Sequence, residues 1–298
     1  AFNLVLFDGN CRAFYQPDYQ NRAYTNFLDG FVGPGFLYQT FLVYAKYDDL
    51  RIGSSKSHND FKLSAAVSIH QFAYISTKRV LGGYWGGEIL VSGTKGHLVT
   101  DAGRSDDEGI GDTFVGTFIQ GDRRSFVLGN YTIPFYTRFL VGATLPTGDY
   151  DHDKDFTVGS NLITYQLYNS STFFLTPRWA ASWRIMYFFH TKNSDFGPNK
   201  DNLRPGQLFN IHFSTCYQVA KGVRLGVLGH YWRQTTDDKL NGNRLRGREL
   251  AFALGPGIFL DRVVGKCHLF WESHVLFDTK IRNRPEGNIY QTRLALVF

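Results

Sequence analysis

Between Trp179 and His190 large apolar side chains alternate with small or polar ones. Trp179, Trp183, Ile185, Tyr187 and Phe189 fall on one parity, and Ser182, Arg184, Met186 and His190 on the other. Successive side chains of a strand point to opposite faces, so this rhythm predicts a β-strand with one apolar wall. It recurs along the chain. Residues 207–218 set Phe209, Ile211, Phe213 and Tyr217 against Asn210, His212, Ser214 and Gln218. Residues 267–278 set Leu269, Trp271, Val275 and Phe277 against His268, Glu272, His274 and Asp278. In 61–70, Phe61, Leu63, Val67 and Ile69 read as the outward set, against Lys62, Ser64, Ser68 and His70. The last strand sets Tyr290, Thr292, Leu294, Leu296 and Phe298 against Gln291, Arg293, Ala295 and Val297. One such strand would suit a soluble sandwich, but ionisable groups in mid-strand suit a wet lumen better than a packed core.

Alternating segments between turn signals predict twelve strands, at about 36–48, 59–76, 80–96, 109–120, 124–145, 157–169, 173–191, 206–219, 222–236, 246–260, 265–279 and 287–298. An even number closes an antiparallel barrel with both ends on one side. Connections alternate between short turns, such as 121–123 and 220–221, and longer polar ones, such as 97–108, 146–156 and 192–205. Outer-membrane barrels have short periplasmic turns and long external loops, which places both termini in the periplasm. No apolar run reaches the roughly 18–20 residues of a membrane helix, and an open sheet edge cannot sit in lipid, so a closed barrel is required. Twelve tilted strands enclose a cylinder on the order of 24 Å across, more than side chains alone fill.

Residues 1–35 precede the barrel, 36–298, and are rich in aromatics: Phe14, Tyr15, Tyr19, Tyr24, Phe27 and Phe31. Disordered segments are poor in aromatics, so this stretch is expected to fold into the lumen as a plug that narrows it. Ala251, Ala253, Gly255 and Ala295, small and inward by parity, leave it room.

Composition agrees. Aromatics make up 16% of the 298 residues, Gly is plentiful and there is one Met, as suits a barrel with aromatic girdles and tight turns. The formal charge of +6 comes from scattered Arg and Lys without a basic run interleaved with aromatics, so nucleic acid is not an expected partner. Outer-membrane lipid, lipopolysaccharide and small solutes are the expected partners, and the chain is expected to act as a monomer without a cofactor. Ala1 is not followed by a charged and then apolar leader, which is expected to have been removed. Cys11, Cys216 and Cys267 lack metal-ligand spacing. They leave open three unpaired thiols or one disulfide, with Cys11–Cys216 the first choice.

Inward parity makes Arg138, Arg184, His212, Arg224, Glu272, His274 and Arg293 channel-lining candidates. They would form an electrostatic path, hold the plug by charge-assisted hydrogen bonds, or satisfy one another across the barrel. Asp149, Asp151, His152, Asp153 and Asp155 crowd one loop but lack the ligand order of a calcium loop, and read as a solvated acidic rim rather than a metal or acid–base site. His190 and Ser194 are near in sequence, with nothing to bring them together as a hydrolase pair. A catalytic barrel of lipase or protease type and a non-conducting structural barrel stand as alternatives to a channel.

Several motifs carry a resemblance. Gly33-Pro34-Gly35-Phe36, Gly109-Ile110-Gly111-Asp112, Leu145-Pro146-Thr147-Gly148-Asp149-Tyr150, Gln234-Thr235-Thr236-Asp237-Asp238-Lys239, Leu254-Gly255-Pro256 and Arg282-Asn283-Arg284-Pro285-Glu286-Gly287 resemble, in this order, the outer-membrane channel family labelled "MetA-pathway of phenol degradation". The resemblance runs from about residue 30 to the C-terminus. It implies a twelve-stranded bacterial outer-membrane channel, linked to breakdown of aromatic compounds, with N-terminal residues occluding the lumen. The function so implied is passive uptake of small, hydrophobic or aromatic molecules.

Overall fold

The computed structural model describes residues 3–8, 11–15, 26–57, 60–265 and 267–298. Twelve strands form one closed antiparallel barrel: β1 (Gly35–Ile52), β2 (Phe61–Val80), β3 (Gly83–Thr100), β4 (Thr113–Gly121), β5 (Tyr131–Leu145), β6 (Thr164–Phe174), β7 (Trp179–His190), β8 (Leu208–Ala220), β9 (Val223–Gln234), β10 (Leu250–Val264), β11 (Cys267–Arg282) and β12 (Pro285–Val297). Each strand pairs with its chain neighbours, and β12 closes the ring on β1, from Pro285 opposite Leu50 to Val297 opposite Leu37. Phe298 N donates to Phe36 O at 3.0 Å and Phe36 N to Phe298 O at 3.3 Å, so the last residue is stitched to the first strand. Gly35 stands there at φ 134°, and a Cβ would come within 2.4 Å of Phe298 O.

The outer wall is apolar for the reason the alternation gave. Leu42, Val141, Leu167, Ile185, Val227 and Leu294 are exposed in mid-wall. Phe36, Tyr74, Trp85, Trp179 and Tyr217 ring the short-turn end, and Tyr44, Tyr165, Phe189, Phe277 and Tyr290 lie toward the other. Aromatic bands flanking an apolar zone suit the two interfaces of a bilayer.

The long connections are themselves folded. Residues Gly103–Ile110 pair back on β3, and Asn193–Phe196, Asp201–Arg204, Asp238–Leu240 and Asn243–Leu245 form a separate four-stranded sheet above β8 and β9. At the opposite end the expected turn at 121–123 is a hairpin, with Arg124–Leu128 folded against the start of β5. Residues 170–172, read as a turn, lie inside β6, and the β2–β3 turn falls at Leu81-Gly82, both at positive φ as a two-residue hairpin turn requires.

The orientation of β2 is opposite to the sequence reading. Phe61, Leu63 and Ile69 are buried inside, whereas Lys62, Phe72 and Tyr74 are exposed. The cause is the filling of that end of the barrel. Phe156, from the β5–β6 connection, is 0% exposed within a cluster containing Tyr47, Phe61, Leu63 and Leu98. Inward apolar side chains are therefore solvated by one another rather than by water, and apolarity no longer marks the lipid face.

The Cys11–Cys216 bridge is absent, since Cys216 is a free, buried thiol. Strand Cys11–Tyr15 pairs with Asn3–Asp8, which pairs with Phe156-Thr157 at the long-loop end. Cys216 faces Ala180 and Gly226 near the short turns, at the other end of the barrel. Cys267 is also free.

Candidate functional site

Residues 26–34, a strap leading into β1, run inside the barrel. Asn26, Phe27, Asp29 and Gly30 are buried. Their backbone cannot join a ladder, so its polar groups are met by inward side chains of five strands, and a sixth holds the Asp29 carboxylate. Ser214 of β8 donates to Asn26 O at 3.0 Å. Phe27 N donates to the Glu272 carboxylate of β11 at 3.2 Å. Arg138 of β5 donates to Asp29 O at 3.2 Å. Gly30 N donates to Thr172 Oγ1 of β6 at 2.8 Å, and Gln120 Nε2 of β4 to Gly30 O at 3.0 Å. Arg184 of β7 grips the Asp29 carboxylate at two points, Nε to Oδ2 at 2.7 Å and Nη2 to Oδ1 at 2.5 Å.

Two local features shape the strap. Leu28 is held at φ 55°, in the left-handed region that β-carbon sterics disfavour, and Phe31 N closes the turn on Leu28 O at 3.2 Å. Gly30 lies so near β6 that a Cβ would come within 2.5 Å of Thr172 N. Phe27, 1% exposed, packs among Leu228, Ala253, Phe259 and Leu276, and the small Ala253 and Gly257 make that space. Phe31 meets Tyr136 edge-on at 4.6 Å.

A polar belt circles the wall beside the strap. On one half it is a chain of side-chain hydrogen bonds with one residue per strand. Arg293 Nη2 donates to Glu272 at 2.8 Å and Nη1 to Gln39 Oε1 at 3.4 Å. Gln39 then donates to Gln71 at 2.5 Å, and Gln71 to Glu88 at 2.8 Å. On the other half the members are register partners: Gln120 with Arg138, Arg138 with Ser170, Ser170 with Arg184, Arg184 with His212, and His212 with His230. Within the belt and strap, Arg138, Arg184 and Arg293 stand against Asp29, Glu88 and Glu272, so the formal charges of these six cancel.

Between the strap and the barrel wall is a cavity of about 410 Å³. Gln39, Gln71, Glu88 and Arg293 line it from β12 and β1–β3 and Arg138, Gln166 and Arg184 from β5–β7, while Phe41, Ile69, Leu90, Phe114, Phe259 and Phe270 supply apolar surface. It reaches from Thr144 and Gln166 to Val297 and Phe298, along much of the barrel's height.

The sequence-derived residues thus separate into groups. Arg138, Arg184, Glu272 and Arg293 converge on the strap, and His274 Nδ1 lies 3.6 Å from Glu272. His212 is buried beside His230, ring centroids 5.8 Å apart. Arg224 lies apart, at the short-turn rim, bonded to Gln218 and to Arg178 O. Of the plug aromatics, Phe27 and Phe31 are in the strap. Tyr19, Tyr24 and the side chains of Phe14 and Tyr15 lie outside the described residues. Asp29, Gln39, Gln71 and Glu88 were not singled out. Gln39 of β1 and Gln71 of β2 both face inward, the inverted assignment of β2 hid the second, and no periodicity marks Asp29.

The remaining candidates are also placed. Asp151, His152 and Asp153 offer ligand atoms within 4.8 Å of one another, and His152 lies 3.5 Å from both Asp153 and Asp195 on a partly exposed loop. His190 is inside the barrel with Nδ1 3.0 Å from Thr164 Oγ1, while Ser194 is exposed. The resemblance motifs turn out to be loop anchors. Ile110 N and Gly148 N donate to the carboxylates of Asp149 and Asp112 at 2.8 and 3.0 Å, locking 109–112 to 145–150. Arg284 and Glu249 form a buried ion pair under the β11–β12 turn, with the guanidinium 4.6 Å over the Trp232 ring.

The family described as "Putative MetA-pathway of phenol degradation" matches residues 47–294. Among solved structures, an outer membrane channel from Pseudomonas putida F1 aligns at 18% identity over 91% of this chain and 97% of that one, with a TM-score of 0.76. The transport unit of the Escherichia coli autotransporter AIDA-I aligns at 8% identity over 89% and 90%, with a TM-score of 0.51. At these identities the likeness is one of fold: a bacterial outer-membrane β-barrel. No match was found among curated proteins.

Proposed function

This chain belongs to the family described as "Putative MetA-pathway of phenol degradation", and on that premise we propose that it is an outer-membrane channel for passive uptake of small, uncharged, hydrophobic or aromatic molecules. Long loops face outward and both termini face the periplasm, and the N-terminal segment, of which residues 26–34 are the described part, narrows the passage.

The cavity carries this reading. Its volume of about 410 Å³ accommodates a single-ring molecule with room to move, and its wall is largely aromatic and aliphatic with polar groups set into it from several strands. An apolar wall receives a ring, and a few fixed donors and acceptors orient one polar substituent. Because the formal charges of the six groups cancel, the belt carries no net formal charge to favour ions of one sign. No bond is made or broken in such a passage, and no cofactor enters it.

Single-channel conductance in planar bilayers tests the reading, with the intact chain compared with one lacking residues 1–30, alongside uptake of phenol and of a disaccharide into proteoliposomes. The expected result is low conductance that rises on deletion and a preference for phenol. No conductance and no uptake in either form would leave a non-conducting or catalytic barrel in its place.

A further inference from the structure

The long-loop rim is electrostatically two-sided. Around β1–β4 four of its cations are answered by acids: Lys46 lies 3.4 Å from Asp48, Arg51 2.5 Å from Glu286, Lys95 2.6 Å from Glu108 and Arg104 2.7 Å from Asp106. Around β8–β11 this matching stops. Arg233 of β9 and Arg282 of β11 both stand in register with Leu250 of β10, and Lys280 stands opposite Phe252. In the external sheet Arg204 pairs with Lys239, and Lys239 with Arg244. All six cations are exposed. None of them forms an ion pair among the described residues, the nearby acids Asp237 and Glu249 being held by Arg248 and Arg284.

Like charges placed directly opposite one another destabilise a strand pair. Three in one row, Arg204, Lys239 and Arg244, hold their register against mutual repulsion that an anion lying across them would relieve. The direction of this face is fixed by its reverse side. Leu203 and Leu240 are buried there with Phe196, and Asp238 on the same side accepts from Gln234 Nε2, an inward residue of β9, at 2.7 Å. The cationic side therefore continues the outer, lipid-facing wall. Beneath it that wall is aromatic: Phe209 is in register with Arg233, Tyr231 with Phe252, and Phe277 is exposed.

We infer that the outer face of β8–β11 and of the sheet above it is a binding site for a phosphorylated lipid of the outer leaflet, with Arg204, Arg233, Lys239, Arg244, Lys280 and Arg282 holding its phosphates. The occupant is a lipid rather than a free anion because the cations spread over one surface instead of converging on a point, and because the aromatic wall below them continues into the acyl region. The site rests on the outer-membrane placement proposed above.

The test uses the full chain in nonionic detergent, titrated with lipopolysaccharide, with dephosphorylated lipopolysaccharide and with inorganic phosphate, and read by native mass spectrometry. A variant carrying Arg233→Gln, Lys280→Gln and Arg282→Gln, and another carrying Arg204→Gln, Lys239→Gln and Arg244→Gln, are compared with a control carrying Lys46→Gln and Lys95→Gln. Heat-dependent gel mobility reports that each barrel is folded. Each site variant should bind lipopolysaccharide about tenfold or more weakly, as loss of several surface cations near anionic lipid implies, and the control should bind as the parent does. Equal affinity of parent and both site variants would overturn the site, as would undiminished binding of the dephosphorylated lipid or competition by inorganic phosphate at equal concentration. Insertion of the parent into phosphatidylcholine vesicles, measured separately, tests membrane placement, so the two ideas fail by different results.

Discussion

The Asp29 carboxylate and the Arg184 guanidinium meet fork to fork inside the barrel, across 155 positions of sequence. Paired two-point geometry makes this the strongest single link between the strap and the wall. Arg138 lies 3.9 Å from the same carboxylate and donates to the Asp29 backbone, so the acid neutralises a locally cationic wall as well as anchoring the chain.

Replacing Asp29 with Ala leaves two buried guanidinium groups without their carboxylate, a loss of about 3–5 kcal/mol when one partner of a buried pair is removed. The ladder of the barrel is untouched, so the loss falls on the strap. Asp29→Ala should raise single-channel conductance and speed proteolysis ahead of β1 while the barrel keeps its heat-dependent gel mobility. Unchanged conductance would show that the strap is not what limits the passage.

Gly30 gives an independent handle on the same contact. A side chain there meets the β6 backbone at 2.5 Å, and backbone cannot swing aside as a flexible side chain can. Gly30→Val should displace the strap at a cost of about 1–3 kcal/mol and mimic Asp29→Ala in bilayer recordings. If its conductance equals the parent's, the close approach is not a constraint on the strap.

The outer surface was legible in sequence because most mid-wall positions on the lipid side are apolar whatever the barrel contains. Trp179, Trp183, Ile185 and Phe189 announced their strand and its direction unaided. The interior was less legible because its filling comes from elsewhere in the chain. Phe156 from a loop and Phe27 from the strap turn stretches of lumen into packed core, so Phe61 and Leu63 face inward as readily as Ser214 does. The Asp29–Arg184 clasp has no local signature, since a pair so distant in sequence leaves no periodicity to read.

Glu249 and Arg284 form a further buried ion pair, 1% and 2% exposed, beneath the β11–β12 turn. Arg284→Met alone strands a buried carboxylate and should destabilise the barrel by about 3–5 kcal/mol, whereas Arg284→Met combined with Glu249→Leu should recover most of that loss. Urea unfolding of the two single variants, the double variant and the parent gives the coupling. Additive losses would show that the pair contributes no more than its separate parts.

The external sheet should loosen as pH rises. Burial pushes the Asp238 carboxyl up to about 7, against the hydrogen bond from Gly206 N and with the Glu249 charge adding to the rise. Its folded value lies above the ordinary 3.8, so the folded state binds the proton more tightly than the unfolded one. The stability this gives is complete below the unfolded value and is lost as pH climbs through the folded one. Hydrogen exchange in strands Asp201–Arg204 and Asp238–Leu240, corrected for the intrinsic pH dependence, should be slower at pH 5 than at pH 8. In Asp238→Asn, which keeps the acceptor oxygen and cannot ionise, the difference should disappear. A pH dependence as steep in Asp238→Asn as in the parent would assign the loosening to another group.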